Sequence, residues 1–462
     1  MGESAEIIDT MRRAVPAGRS RLDDADAATL RELTAALIAA RPEAADEYAR
    51  FLAVAGRGLC LPEAELACRL GGRTIVVTGG TGCIGSTLLR QLAARGPARL
   101  VSVSRGLSDS RPPQPGAEYR HADVTDRKGI EELLAHVRPD IVFHIAAQRS
   151  PALAETEVHR TVSTNVLGTR NVLAAAAAAG VPQVVCASTG KALRPYSPEI
   201  YSASKRAAEW ASTAAAASGD LLCSAARFTH VIDNSIVHER LLAWAADGAD
   251  GADGQHTNRE TVIRLHSADI AFYVQSALES AQLLLLAMLG AAPGEFRVHA
   301  IADLGWPVSL LDIALGTLAA RDSATPVYVS GYDPGYEEVA FPGLYDPMTA
   351  GDVSPLLNSF EAAAQVAAPC PMVNSFRLDM APDPVAPKLL GDLDRVCDRT
   401  RDPQSVRQAL DELSWSLLDA TLASADLGTL ARSAALINPH ERVMSPEHRR
   451  IARAIRHHSG QP

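Results

Sequence analysis

The sequence predicts an α/β fold built on a doubly wound parallel sheet, and three observations predict it. The first is the stretch Arg73 to Ala93, where Ile75, Val76 and Val77 are followed by Gly79, Gly82 and Gly85 at strict three-residue spacing, then by a stripe of Leu88, Leu89 and Leu92. A β-branched run, a glycine turn and a helical stripe read as strand, turn and helix. The second is alternation, because short apolar runs take turns with helical patterns from Arg73 to Phe228, as in a sheet covered by helices on both faces. The third is size. At 462 residues, 47% of them hydrophobic, the chain exceeds one ordinary domain and can bury a sizeable core.

Taken in order, residues 1–70 read as helical. Asp26 is placed to cap a helix through Leu30, Leu33, Ala36 and Leu37, and Pro42 to open the next in its first turn. No chemistry is evident there, and either an interaction module or a packed extension fits. After the strand at Ile75, strands are expected at Arg99–Val103, Glu118–His121, Asp140–Ala146, Pro182–Ala187 and Leu221–Phe228. Helices are expected over Asp126–His136, Val158–Ala179 and Pro198–Ala217, the last capped by Ser197. Right-handed crossovers bring the named strand ends to one edge, where ligands sit. Further on, the pattern gives strand then helix over Val262–Leu289, a strand at Glu295–Ile301, a helix at Val308–Ala320 and a strand at Pro326–Ser330. Residues 247–254 and 331–385 read as mostly irregular, and the chain is helical again from Asp402. The expected organisation is a helical extension (1–70), a dinucleotide-binding domain (71–232), a smaller substrate lobe (233–380) and a second helical extension (381–462).

Composition excludes some functions. A net charge of −10 argues against nucleic acid as the main partner. The seven cysteines form no CxxC pair, so they read as reduced, mostly buried residues, and no metal site is expected. The N-terminus lacks a secretory apolar core. The most apolar window, Ala271–Ala292, is broken by Gln275, Glu279 and Gln282 and reads as a buried helix, not a membrane span. A cytoplasmic protein is expected.

Two constellations carry the chemistry. The glycine turn aims free backbone N–H groups and a helix dipole at an anion, usually a dinucleotide pyrophosphate. Downstream, Tyr201 and Lys205 stand four apart on one helix face. A neighbouring ammonium favours the phenolate and lowers the phenol pKa, which suits Tyr201 to acid–base work on a hydroxyl. Ser188 and Thr189, at the end of the fifth strand, are placed to hydrogen-bond a reacting oxygen.

With these residues in view, residues from about 60 to 360 resemble the extended short-chain dehydrogenase/reductase family, a Rossmann fold. The resemblance is nearest the polysaccharide-biosynthesis nucleotide-sugar 4,6-dehydratases and epimerases. It is carried by TGGTGCIGS, VSVSR, HADVTD, VFHIAAQRSP, TNVLGTRNV, STGKALRP, YSASK and ARFTHV, with LGWPVSLLDIA and GYDPGYEE beyond them. It implies that Gly79, Thr81, Gly82, Cys83, Ile84 and Gly85 line the pyrophosphate and that Asp123 and Val124 meet the adenine. Ala146, Ala147 and Asn165 would border the cofactor, Lys205 would hold its ribose, and Tyr201 and Lys205 would be the catalytic pair. Ser104 and Arg105 stand where the family reads the adenosine ribose. A serine and an arginine in place of an acid suit a 2′-phosphate, so NADP(H) is expected over NAD(H).

The departures lie on the substrate side. The dehydratase pattern Ser-Thr-Asp-Lys is here Ser188-Thr189-Gly190-Lys191. The acid that would protonate a leaving hydroxyl is gone, while Lys191 remains as a base or substrate ligand. Arg-x-Gly-Asn-Val becomes Arg227-Phe228-Thr229-His230-Val231, and Arg-Pro-Gly-Glu becomes Asp333-Pro334-Gly335-Tyr336. His230, Arg264 and Asp333 are therefore the expected substrate residues. Three outcomes stay open. They are epimerisation or simple oxidoreduction of a nucleotide sugar or related sugar, ketoreduction of another carbonyl compound, and 4,6-dehydration. A non-catalytic cofactor sensor is the fourth reading, opposed by the intact Tyr201 and Lys205. The membrane-spanning region that precedes this domain in many relatives is expected to be replaced by residues 1–70. The alanine-rich helices at 158–179 and 198–217, through which such relatives pair, predict a homodimer or higher homo-oligomer.

Overall fold

The computed structural model describes residues 2–106, 112–234, 236–247, 262–332, 342–344, 353–378, 385–437 and 445–459. The chain divides into two compact units, each discontinuous in sequence. The smaller comprises Met1–Arg57, His230–Ala277 and Gly305–Glu338, and the larger comprises Gly58–Thr229, Leu278–Leu304 and Val339–Pro462.

The larger unit is organised by a sheet of nine strands. These are β1 (Thr74–Thr78), β2 (Arg99–Ser104), β3 (Ala117–His121), β4 (Ile141–His144), β5 (Gln183–Thr189), β6 (Leu222–Phe228), β7 (Phe296–Ile301), β8 (Gln365–Val366) and β9 (Val373–Arg377). Their order is β8-β9-β7-β6-β5-β4-β1-β2-β3. The strands from β3 across to β7 are parallel, and β9 and β8 close the far edge antiparallel. This is the doubly wound α/β class that the sequence predicts. Ile75, Val76 and Val77 are fully buried, as a two-sided parallel sheet requires. The order reverses between β1 and β4, so the crevice for a ligand opens beyond the carboxyl ends of these two strands. Gly79 and Ile145 follow them directly.

Several element ends differ from expectation for local reasons. Asp23, not Asp26, caps the helix Asp24–Ala40, and the Asp26 N–H is the group that its carboxylate receives. The helix after β5 is Ile200–Ala217, capped by Glu199 without a side-chain bond. Ser197 instead accepts the Glu199 N–H in a local turn, and the Ile200 N–H goes to Glu155. The expected helix over 158–179 is broken into Val158–Val162 and Gly168–Ala178 by a π-helical turn at Ser163–Leu167 that carries Asn165. Within 331–385, the helix Ser359–Ala363 and strands β8 and β9 are regular. C-terminal helices span Val385–Arg399, Pro403–Ser424, Leu427–Ile437 and Pro446–Ser459. The last turns Ile451, Ala452 and Ile455 inward, with Arg450 over the Trp415 ring at 3.4 Å.

The smaller unit builds its own core from residues far apart in sequence, including Met11, Leu30, Leu37, Phe51, Ile263, Ile313, Leu315 and Tyr328. The N-terminal helices are part of it. A Cβ on Gly316 would lie 2.5 Å from Tyr48 Cβ and 2.6 Å from the Ala44 carbonyl oxygen, so the helices Glu43–Ala53 and Leu310–Ala320 cross in direct contact. Arg41 adds a two-pronged bond to Asp312 at 2.7 and 2.8 Å.

Candidate active site

The glycine turn lies at the reversal of the sheet, and its three spaced glycines have different jobs. Gly79 has φ +75°, and a Cβ there would lie 2.7 Å from the Ala146 nitrogen. At Gly85 a Cβ would sit 2.2 Å from the Gly79 oxygen and 2.8 Å from Gly80 Cα. Both clashes are with backbone, so no side-chain movement relieves them. Gly82 is the extended N-cap of the helix Cys83–Ala93, and its Cβ would meet only the Gly79 oxygen, at 3.3 Å. Gly82 is exposed, with Thr81, Cys83 and Ile84 half-buried beside it. An open helix N-terminus rimmed by a residue without a side chain fits a pyrophosphate.

The adenosine side is built on β2 and the turn after β3. Ser104 donates to the Gly106 carbonyl at 2.8 Å. Arg105 is 57% exposed and stands 3.9 Å from Asp123. The other carboxylate oxygen of Asp123 accepts from the N–H and hydroxyl of Thr125, both at 2.9 Å. Val124 is buried against Gly168, and its carbonyl accepts from Asn171 at 3.0 Å. Beyond β4, Ala146 and Ala147 are half-buried. Behind them His144 is held between Thr78 (2.8 Å) and Thr169 (3.0 Å). Burial, then the charge of Lys205, pushes its pKa down to about 3, so it serves as a neutral packing group.

Tyr201 and Lys205 lie on one face of the helix Ile200–Ala217, as their spacing predicts. Burial raises the Tyr201 pKa, against the lowering expected from Lys205, while Thr189 and the charge of Arg149 pull the other way. Arg149 lies in the segment VFHIAAQRSP, but the sequence reading gave it no role. The Lys205 ammonium donates to the Ala187 carbonyl at 2.7 Å, and burial lowers its pKa. Asn165, in the π turn, accepts from the Gln148 N–H at 2.8 Å and donates to the Gln148 carbonyl and to Ser204. It thereby clamps the loop after β4 to the helix of Tyr201.

The remaining strand-end residues are engaged elsewhere. Ser188 donates to Glu209 at 2.6 Å, in the interior. Lys191 lies 3.5 Å from Glu199, which also pairs with Arg194 at 2.5 Å. Burial works against the Glu199 charge, but Arg194 and Lys191 outweigh it and hold its carboxyl below the usual range. A Cβ on Gly190 would lie 2.8 Å from a methyl of Leu356.

The sequence reading missed a buried cluster behind the site. Arg227 is fully buried and binds Glu209 (2.8 and 2.7 Å), Glu361 (2.7 and 2.7 Å) and the Leu356 carbonyl (2.9 Å). Arg206 adds bonds to Glu361 at 2.7 Å and to Glu209 at 3.2 Å. Two carboxylates and two guanidiniums leave the cluster neutral overall, which allows it to be buried. Its one sequence signal is that Glu209 continues the 201, 205 stripe at the same four-residue step.

The expected substrate residues His230 and Arg264 belong to the smaller unit. His230 packs against Phe272, and burial lowers its pKa to about 4. Arg264 donates to the carbonyls of Arg19 (2.9 Å) and Ser20 (3.1 Å) and lies over the Tyr328 ring. Asp333 lies outside the described residues, as does most of the loop at 247–254. All seven cysteines are free, with Cys60 and Cys68 exposed and Cys186, Cys223 and Cys397 buried. Among the described residues no group of three or more His, Cys, Asp or Glu could hold a metal ion, and no helix is long and apolar enough to cross a membrane.

Residues 75–251 match the model of the NAD dependent epimerase/dehydratase family. The chain is 27% identical over 295 residues to the probable polysaccharide biosynthesis protein EpsC of Bacillus subtilis (strain 168), covering 60% of this chain and 47% of that protein. It is also 27% identical over 306 residues to the capsular polysaccharide biosynthesis protein CapD of Staphylococcus aureus, with the same coverage. The chain thus spans about half the length of these curated relatives. Among solved structures, Pen from Bacillus thuringiensis superposes with a TM-score of 0.54 at 20% identity, covering 69% of this chain and 90% of that one. That likeness shows the fold. Residues 75–251, which hold the spaced glycines at the sheet reversal and the Tyr201–Lys205 pair, are thus similar to the NAD dependent epimerase/dehydratase family.

Proposed function

We propose that this chain is a nicotinamide-dependent oxidoreductase of the extended short-chain type that epimerises, or simply oxidises and reduces, a nucleotide sugar or related sugar. The observation that carries the reading is the placement of Tyr201 and Lys205 on the helix Ile200–Ala217, with the Lys205 ammonium bonded to the Ala187 carbonyl of β5, in the sheet whose β1 ends in the glycine turn. A bound nicotinamide would supply a hydride acceptor and donor. The chain would supply the rest. Gly79, Gly82 and Gly85 would cradle the pyrophosphate, with Thr81, Cys83 and Ile84 at the rim. Asp123, Val124, Ala146, Ala147 and Asn165 would border the cofactor. Thr189 would orient a substrate hydroxyl toward Tyr201, which would take its proton and later return it. Lys205, already ordered by Ala187, would meet the ribose. His230 and Arg264 are proposed as substrate-side residues on the resemblance alone.

NADP(H) is proposed over NAD(H). Arg105, directly after β2, is exposed and stands 3.9 Å from Asp123, a loose contact that leaves its guanidinium able to meet a 2′-phosphate. Epimerisation is preferred to dehydration because position 190 holds no acid and its side-chain space is taken by Leu356.

The test is incubation of the purified chain with NADP+ or NAD+ and a panel of nucleotide sugars beginning with UDP-glucose, followed by NMR. Conversion to an epimer without net cofactor reduction, abolished by Tyr201→Phe, is expected. A 4-keto-6-deoxy product would overturn the preference against dehydration. Stoichiometric NADPH consumption on a non-nucleotide ketone would favour ketoreduction. No turnover or reduction of any carbonyl or sugar probe would refute the enzymatic reading.

A further inference from the structure

Glu209 is the third residue of the Tyr201–Lys205 stripe, and it is buried. One of its oxygens accepts from Ser188 (2.6 Å) and from Arg227 (2.8 Å). The other accepts from Arg227 (2.7 Å) and Arg206 (3.2 Å). Ser188 directly precedes Thr189, the last residue of β5, and Arg227 lies near the end of β6. Glu209 therefore ties the helix of Tyr201 to the ends of two strands at once. Through Arg227 the tie extends to the segment Ser354–Ala363. Glu361 and the Leu356 carbonyl meet Arg227, the Asn358 amide reaches the Leu193 carbonyl at 2.8 Å, and the Leu356 side chain covers Gly190.

We propose that Glu209 is a positioning residue, which sets the distance between Tyr201 and Thr189 by fixing their helix and strand to each other through Ser188 and Arg227. The proposal rests on the reading of Tyr201 given above. The geometry makes it specific. The helix can approach β5 at this level only as closely as the Ser188–Glu209 bond allows, and it cannot rotate without breaking the two-pronged contact with Arg227. A reacting hydroxyl held by Thr189 and deprotonated by Tyr201 needs both groups in register, and a shift of about 1 Å costs about 100-fold in rate.

The test compares two variants that open the same cluster from opposite ends. Glu209→Gln and Glu361→Gln each remove one carboxylate from Arg227, but only Glu209 holds Ser188. With UDP-glucose as the first probe, or the nucleotide sugar that the wild-type chain turns over, Glu209→Gln is expected to lower kcat by about 10-fold or more. KM and cofactor affinity should stay unchanged. Glu361→Gln, at a similar loss in Tm, should keep kcat within about 2-fold of wild type. Equal kcat losses in the two variants, or none in Glu209→Gln, would overturn the proposal. Should Glu209→Gln fail to fold, Ser188→Ala leaves the ion cluster intact and decides the matter. A fall in kcat at constant KM supports positioning, and an unchanged kcat refutes it. Tyr201→Phe separates the two readings. An inactive wild-type chain or an active Tyr201→Phe variant defeats the assignment of the site, whereas an inactive Tyr201→Phe beside an unaffected Glu209→Gln defeats the positioning role alone.

Discussion

Adding one methyl group to the glycine turn separates what the protein needs there from what a ligand needs. At Gly85 the new carbon would stand 2.2 Å from the Gly79 oxygen. Ordinary contact lies near 3.5 Å, so backbone must retreat by about 1 Å. Overpacking of this kind costs about 1–3 kcal/mol and displaces the start of the helix Cys83–Ala93. At Gly82 the nearest atom is 3.3 Å away, and the φ of −75° suits any residue. The protein should lose only the difference between glycine and alanine as an N-cap, about 1 kcal/mol or a 1–2 °C fall in Tm. A pyrophosphate on this turn would meet that methyl directly. Losing one or two charge-assisted bonds to backbone N–H groups, at about 1.5–3 kcal/mol each, weakens binding by about 10- to 100-fold or more. Thermal melts and calorimetric titration with NADP+ and NAD+ read both quantities. Gly85→Ala should lose stability and binding together, whereas Gly82→Ala should lose binding with its fold nearly intact. A Gly82→Ala protein that binds both dinucleotides as the wild type does would refute the placement of the pyrophosphate on this turn.

Three further outcomes are expected. Arg105→Ala should weaken NADP+ by about 10-fold or more while leaving NAD+ within about 2-fold, since the guanidinium adds about 1.5–3 kcal/mol only where a 2′-phosphate is present. Calorimetry with both dinucleotides checks it, and equal losses would refute the NADP(H) reading. Arg227→Gln should destabilise the fold by about 3–5 kcal/mol, because it leaves two buried carboxylates to share Arg206 as their remaining cation in the cluster, and the urea midpoint reads this directly. His144 and His299 are both buried, with pKa values lowered to about 3, by burial first and then by the charges of Lys205 and Arg297 respectively. Below about pH 6.5 the unfolded chain takes up protons that the folded chain refuses, so stability present above that pH is lost progressively toward pH 3. Each should cost about 2 kcal/mol between pH 6.5 and 5. Urea titrations at the two pH values test this, and a His299→Gln variant should lose about half of that histidine-linked dependence.

Much of the site was legible because its constraints are local. The glycine spacing is a steric requirement written within seven residues, and the Tyr201–Lys205 step is one helical turn. The alternation from β1 to β6 exposed the fold class for the same reason. What escaped the sequence depends on partners far apart in the chain. Arg227 meets Glu361 across 134 residues, and no periodicity announces that pairing. Arg264 reads as a substrate residue in the sequence, and nothing there announces that the carbonyls of Arg19 and Ser20, more than two hundred residues earlier, take two of its N–H groups. Ser188 reads as a hydroxyl placed to bond a reacting oxygen, and its hydrogen bond to Glu209, 21 residues on, is not visible in the sequence.

Gly190 shows how the long-range part bears on the proposed chemistry. From the sequence it is only a missing acid. In the fold it is half of a pair, since the space that a side chain at 190 would enter is filled by Leu356. Leu356 in turn is carried by a segment that Arg227 and Asn358 fix to β6 and to the turn after β5. Gly190→Asp alone must therefore push the end of a packed leucine side chain aside. Gly190→Asp with Leu356→Ala opens the room that the carboxylate needs. If the missing acid alone decides between epimerisation and water loss, the double variant should yield 4-keto-6-deoxy product from the nucleotide sugar that the wild type epimerises, and the single variant should yield less of it. Equal yields would mean that Leu356 gives way freely and that the segment 354–361 plays no part in the choice. Product from neither variant, with epimerase activity retained, would mean that the outcome is decided by residues other than 190.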